Sequence, residues 1–579
     1  MASGNSTYTY EGLTGWKRFR PLRPFRGMYH DIKRRLPYYR SDITDAFTYR
    51  TVASTVHMYC ANILPAIAFT LDMYRRTGQF FGINEALFSS AMAALIFSVF
   101  GAQPLNIVGI TGLISLFNYT IFNIVTRYEP VIYANFMCWT AIWAAIFHWI
   151  VAVCNLCDYM RYVTDFSSES FGMYIGIVYL SKGVGELVHE FSKVGLAAGF
   201  MSCMIAILYF LTVYALELLA TSTVFRPTIR ALLTDYAYVF ATMFWVGFSH
   251  IPGNLKAADI SRVPISRAFY PTQPRGWLIH FWELDVKWVF AAMPFGSLVM
   301  LLFYYDHNIS SLTAQARRFP LKKPTGFHWD FFLLGITTFL AGITGVPMPN
   351  GQVPVHTNSL VNFRTELDIV SMAEGEREGE REGAEIRRHI MKPVSVVEQR
   401  VSHFFMGLGI IGTMTGPLLI VLHTMPAAVF AGVFFTVGWG SIGGNGILKK
   451  SVFLLLDHRF VARHEPLLKV RQRKIILWIA CQLFGVTASL AISFTIAAIG
   501  FPVVIIALVP WRVWILPKWF SQEELQVLDC LTANNAAVLE SMGGPPSFPG
   551  ERPTRPEDMD TEQQQKRADG QQRFGTYHR

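Results

Sequence analysis

Charge is scarce in this sequence. Asp, Glu, Lys and Arg make up 16% of its 579 residues, where a soluble domain carries about a quarter. That excludes an ordinary water-soluble protein of this length. Cysteine is thin too, seven in all, mostly inside apolar stretches and with no spacing that suggests a disulfide framework. Cys154 and Cys157 form a CxxC without partner ligands in a hydrophobic segment, so they read as buried thiols rather than a metal site. Enzyme signatures are missing: there is no HExxH, no GxSxG in a suitable setting and no Walker A sequence. No enzyme activity, cofactor or metal is expected. The first forty residues also lack the apolar core of a cleaved signal peptide, which places the N-terminus in the cytosol.

Long apolar runs take the place of charge. Hydrophobic residues reach 52% and the mean hydropathy is +0.32. "VIYANFMCWTAIWAAIFHWIVAVC" from Val131, "GLAAGFMSCMIAILYFLTVYAL" from Gly195 and "KIILWIACQLFGVTASLAISF" from Lys474 each supply the roughly 20 residues a spanning helix needs. The chain reads as an all-α polytopic membrane protein. Spans are expected at 51–72, 84–100, 105–118, 131–154, 170–190, 197–219 and 231–250, then at 286–306, 327–345, 353–363, 402–424, 426–443, 474–493 and 495–513. A basic cytosolic arm, 1–45, precedes them, and a long extracellular loop, 251–285, divides 46–250 from 286–515. The segment 364–399, with "AEGEREGEREGAEIRR", reads as a solvated cytosolic loop, partly helical or disordered. Residues 514–530 suggest an amphipathic surface helix, and the polar tail 541–579 a disordered cytosolic end.

The net charge of +10 sits before the first span, after the eighth and between two late ones. This fits the positive-inside rule and contact with anionic lipid, so no nucleic-acid partner is expected. The cationic stretch in 251–285 runs against that rule, which long loops obey less well.

Two breaks organise the rest. "FGAQPLNIVGITG" ends one apolar run with Gly101-Ala102-Gln103-Pro104, and "TGVPMPNGQVPVH" ends another with Thr344-Gly345-Val346-Pro347. A helix cannot cross such a Pro with its hydrogen bonds intact. In hydrocarbon a broken backbone is tolerated only beside protein or a water-filled cavity. Paired interruptions at corresponding places in two halves point to a transporter site built from inverted repeats. A half-helix starting near Leu105, and another near Gln352 or Val353, would aim free N–H groups, those of Asn106, Ile107 and Val108 among them, at mid-membrane. Each N-terminus acts as roughly +0.5 charge, which suits a monovalent oxyanion. Gln103, Asn106 and Gln352 would add amide donors, Thr111 a hydroxyl, and His356 lies in the second short helix.

Asp306 and His307 end the eighth expected span. A carboxylate near a bound anion repels it unless it takes a proton, which would couple the two movements. The alternative is a cap or a cytosolic-edge carboxylate near Arg317 and Arg318. Lys182 and Glu186, one turn apart, read as an internal ion pair. His57, His148, His250 and His423 read as core or interfacial groups.

"ILPAIAF", "FGAQPLNIVGITG", "FRPTIR", "PRGWLIH", "YYDHNIS", "GFHWDFFLLG" and "GVPMPNGQVPVHTNSL" occur in that order between Asp42 and Asp529. In them the sequence resembles the bicarbonate-transporter superfamily of anion exchangers and, within it, the borate transporters of fungi and plants. The resemblance implies fourteen membrane segments in two inverted sets of seven, forming core and gate domains, with half-helices at segments three and ten. It also implies a dimer, an elevator-like movement of the core, and a borate or related oxyanion held by Gln103, Pro104, Leu105, Asn106, Ile107, Thr111, Asp306, Gln352, Val353 and His356. Asp306 is the candidate for proton coupling. The plasma membrane is the implied location, with the vacuolar membrane as alternative. Animal exchangers carry Arg where this chain has Gln352, which favours the borate branch over bicarbonate exchange. Many relatives have Pro in place of Leu113.

Overall fold

The computed structural model describes residues 23–542 apart from 223, 317, 353–354, 372–384, 458–460, 462–464, 496 and 534. Residues 1–22 of the basic arm, the tail from 543, Arg317 and Val353 lie outside the described residues. The helices that matter are α1 (Arg26–Arg35), α2 (Tyr49–Arg76), α3 (Ile83–Phe100), α4 (Gly112–Val125), α5 (Tyr133–Val153), α6 (Asp165–Lys193), α7 (Leu196–Leu218), α8 (Pro227–Asp235) and α9 (Ala237–Ser249). In the second half they are α10 (Val286–Ala314), α11 (His328–Thr344), α12 (Val355–Ser359), α13 (Val401–Thr413), α14 (Gly416–His423), α15 (Ala427–Gly443), α16 (Gly446–Leu455), α17 (Gln472–Ser493) and α18 (Phe501–Trp514).

Among the described residues, six helices are long and apolar enough to cross a membrane: α2, α3, α5, α7, α10 and α17. Two expected spans are bent pairs instead, α8–α9 by 62° and α13–α14 by 82°, and the expected span 426–443 is α15, bent by 66° from α16 beyond it. Helices dominate because in hydrocarbon every main-chain donor and acceptor must find its partner within the segment. The helices pack in two sets. In one, α5 lies against α10 and α11, and α13 against α2 and α3; in the other, α15 lies against α6 and α7, and α17 against α6. The sets meet where α2 packs on α15 and α10 on α18.

Four expectations are corrected. The chain is not purely helical. Strands β1 (Val108–Gly109) and β2 (Asn350–Gly351) pair antiparallel, Val108 opposite Gly351, and β3 (Val361–Ser371) and β4 (Glu385–Val396) form an antiparallel hairpin where a solvated loop was expected. Val361, Thr365, Ile369 and Val370 favour strand, and the alternating charges obscured it. The helix bearing Asp306 runs on to Ala314, so Asp306 is not at its end; the polar run after it faces buried protein, not water. The surface segment 514–530 breaks into Leu516–Trp519 and Gln522–Leu528, with Ser521 capping the second through Glu524. Finally, Lys182 and Glu186 do not pair with each other; both reach across to α2, as described below.

The arm is docked. Asp31 on α1 accepts the N–H groups of Phe327, His328 and Trp329 at 3.0, 2.8 and 3.2 Å, capping α11. Asp42 receives Arg35, Arg400 and Lys323 at 2.7, 2.9 and 2.8 Å. Beside this hub burial pushes the Glu398 carboxyl above its ordinary range, opposed by the N–H groups of Lys322 and Lys323.

Candidate functional site

The two breaks meet. After α3 ends at Phe100 the chain runs without helix to Thr111, and after α11 ends at Thr344 it does so to Gln352; β1 and β2 are where these unwound stretches cross. Gln352 extends the crossing: its N–H donates to the Ile107 carbonyl at 2.9 Å, and its Nε2 to the Ile110 carbonyl at 3.3 Å. Its Oε1 accepts from Asn62 of α2 at 3.1 Å. A short strand pair thus satisfies the main chain that the breaks expose.

The half-helix therefore begins at Gly112, not near Leu105. Residues 103–106 make a turn in which the Asn106 N–H donates to the Gln103 carbonyl at 3.2 Å. The second short helix is Val355–Ser359, only five residues, too short to carry the dipole that two facing N-termini would need. One N-terminus remains. Thr111 occupies its cap position without a side-chain cap bond, so the first turn of α4 keeps N–H groups that its own helix cannot satisfy.

The polar residues expected at the site have different fates. Asn106 is buried with neither side-chain polar atom partnered, and Gln103 Nε2 and Thr111 Oγ1 are likewise unpartnered among the described residues. Gln103 Oε1 accepts the Leu105 N–H at 3.3 Å. Leu105 and Ile107 serve through main-chain carbonyls, with buried side chains, and Pro104 sits in the turn. His356 is a clamp: its Nδ1 meets the Leu105 carbonyl at 3.3 Å and its Nε2 the Ser402 hydroxyl at 2.7 Å. A carbonyl only accepts, so the proton is on Nδ1 and both ring nitrogens are spent. Leu113 is a buried packing residue in the first turn of α4.

Asp306 lies at the crossing, fully within the fold, and accepts from the Asn350 side-chain amide of β2 at 2.7 Å. It is within electrostatic reach of the Tyr179 phenol, whose oxygen accepts the Gly112 N–H at 3.4 Å. This geometry replaces the cytosolic-edge alternative. His57, His148, His250 and His423 each bond a nearby carbonyl, in keeping with packing roles. No group of three or more His, Cys, Asp or Glu suited to a metal occurs among the described residues.

Sequence reasoning passed over Asn62, Asn350, Tyr179 and Asp330. Three of them are single polar residues in apolar runs, a visible signal, but only the tertiary crossing says what each one meets.

Beside the site is a cavity of about 610 Å³ carrying Asp72, Arg75, Arg76, Arg127, Lys182 and Glu186, four cations against two carboxylates. Its lining on α4 includes Leu116, one turn from Gly112, and on α6 Val178. The ring of Phe69, 5.1 Å from that of Tyr179 and 5.2 Å from that of Phe434, packs at Gly112. Two ion pairs cross from α2 to α6: Lys182 with Asp72, and Arg75 with Glu186 at 2.6 Å. Lys182→Gln should destabilise the protein by about 2 kcal/mol, and Asp72→Asn should recover most of that loss in the double variant. Thermal melting of the two singles and the double measures the coupling; additive losses would mean the pair contributes nothing.

Comparison with known proteins agrees with this architecture. Residues 23–199 and 193–533 match the HCO3- transporter integral membrane domain. A Schizosaccharomyces pombe protein named as a transporter is 42% identical over 506 residues, covering 86% of this chain and 95% of its own. Boron transporter 1 of Saccharomyces cerevisiae is 39% identical over 527 residues, covering 88% of this chain and 86% of its own. The murine Solute Carrier 26 family member A9 anion transporter shares the fold with a TM-score of 0.51 at 11% identity, over 90% of this chain and 76% of that one. These matches span both breaks and the segments that carry them, and they place the protein among multi-pass membrane transporters rather than enzymes: the chain belongs to the HCO3- transporter family of integral membrane proteins.

Proposed function

We propose that this protein exports borate, or a closely related oxyanion, by an elevator-like movement of one helix set past the other. The observation that carries this reading is the uncapped first turn of α4, set beside the unpartnered Thr111 and Asn106 where the two unwound stretches cross. Main-chain N–H groups and neutral amides suit an anion of low charge without a fixed cation. In this reading the fourteen segments form two inverted sets of seven, the protein works as a homodimer, and its termini face the cytosol at the plasma membrane. Lipid headgroups contact its basic inner surface. Asp306 carries a coupling proton. The name of the Saccharomyces relative supports borate as cargo, and Gln352 in place of a cation supports borate over bicarbonate.

Proteoliposome flux decides it. Borate flux should exceed bicarbonate and chloride flux; a preference for bicarbonate would make the protein an anion exchanger. Equal flux with and without protein would leave a sensor or scaffold. Gln352→Arg should tighten anion binding and slow turnover, since it sets a full charge at the crossing. Unchanged kinetics would remove Gln352 from the site.

A further inference from the structure

Gly101 ends α3 in an extended conformation, so the N–H groups of Ala102 and Gln103 leave the helix with no carbonyl to meet. Both donate to Asp330, Ala102 to Oδ1 at 2.6 Å and Gln103 to Oδ2 at 2.9 Å. Asp330 stands in the first turn of α11, where an acidic side chain ordinarily serves its own helix. Here it does not. Asp31 supplies that cap from outside, which releases both Asp330 oxygens for another segment.

The approach is close as well. A Cβ on Gly101 would lie 3.7 Å from Asp330 Oδ1 and 2.5 Å from the Phe97 carbonyl oxygen, and one on Gly326 would lie 2.4 Å from the Ala102 Cβ. The Trp329 indole N–H adds a bond to the Phe100 carbonyl at 2.7 Å. Beyond the anchor every step is tied. Gln103 turns to Leu105 and Asn106, His356 holds the Leu105 carbonyl, and Gln352 holds that of Ile107. The polar groups left over in this segment are the unpartnered amide of Asn106 and the Nε2 of Gln103.

We propose that Asp330 is a positioning residue for the transported anion, fixing the main chain of 102–107 so that the Asn106 amide and the uncapped turn of α4 keep one geometry. It touches no cargo itself. The inference rests on the site reading given above, and concerns which group sets that site rather than which anion enters it. An Asn at 330 keeps one acceptor but turns an NH2 group toward the second N–H, so the segment loses one bond and gains a repulsion.

The test compares Asp330→Asn with Asp31→Asn, which takes the charge from the other carboxylate at the same helix end; its three main-chain bonds all go to Oδ2, so Asn keeps an acceptor for them and loses the charge and the acceptor for Arg34. Two readings are taken on the detergent-purified full chain: amide hydrogen exchange over 102–107, and the borate concentration giving half-maximal thermal stabilisation. Asp330→Asn should speed exchange across 102–107 at least tenfold and raise the half-maximal borate concentration at least tenfold. Asp330→Glu, which keeps both acceptors, should fall between it and wild type. Asp31→Asn should lower the melting temperature without moving the borate dependence. Wild-type exchange and borate dependence in Asp330→Asn would overturn the assignment, as would an equal borate shift in Asp31→Asn, because the effect would then be general loosening. A wild type indifferent to borate would sink the borate reading alone, and exchange over 102–107 would then decide the role of Asp330.

Discussion

Asp306→Asn should flatten the pH dependence of borate flux while leaving borate binding as tight as in wild type or tighter. The argument is electrostatic. An ionised carboxylate and a bound monovalent anion about 4 Å apart repel by roughly 4 kcal/mol at an effective dielectric of 20, so one of them must be neutral for both to occupy the crossing. Asn has nearly the shape of the protonated acid and cannot release a proton, so it holds the site in its anion-accepting state. The Asn350 amide, which now donates to Asp306 at 2.7 Å, still finds a carbonyl oxygen. Binding therefore survives, but flux can no longer draw on a proton gradient. Uptake into proteoliposomes at several imposed pH differences measures this. A variant whose pH profile matches wild type would show that Asp306 carries no coupling proton.

The break at Gly101–Pro104 was legible because proline lacks the N–H a helix needs. The start of the half-helix was not. Residues 107–111 have no local reason to leave the helix; they do so because Gln352, far along the chain, donates to the Ile107 carbonyl. Ion pairing failed in the same way. Lys182 and Glu186 stand one turn apart on α6, but Asp72 and Arg75 stand one turn apart on α2, and the helices exchange partners across the seam. Asp306 stands out in the sequence because a carboxylate in an apolar run is costly. Its span was cut short because the polar residues that follow looked like an exit to water. His356 looks in the sequence like a group free to meet a ligand, and only the fold shows both its nitrogens occupied by the protein.

The second large effect expected is at Gly112, where α4 begins. A Cβ there would lie 2.4 Å from the Tyr179 ring and 2.6 Å from the Phe69 ring, and no real Cβ tolerates such contacts without displacing a neighbour. Neither ring can yield easily. Phe69 is buried between Tyr179 and Phe434, and the Tyr179 oxygen meets the Gly112 N–H. Overpacking of this kind costs about 1–3 kcal/mol, and here the displaced groups include the Tyr179 phenol that accepts the Gly112 N–H at the first turn of α4. Gly112→Ala should therefore reduce flux at least tenfold, and Gly112→Val should abolish it. Gly185, in α6 and lining the same cavity, is the control, since a Cβ there would meet nothing within 4 Å. Gly185→Ala should leave flux intact and add about 0.5–1 kcal/mol of stability, because Ala is the better helix former. Flux and melting temperature measured on the three variants separate the two positions. Wild-type flux in a folded Gly112→Ala would mean that the Phe69 and Tyr179 rings yield without disturbing the first turn of α4.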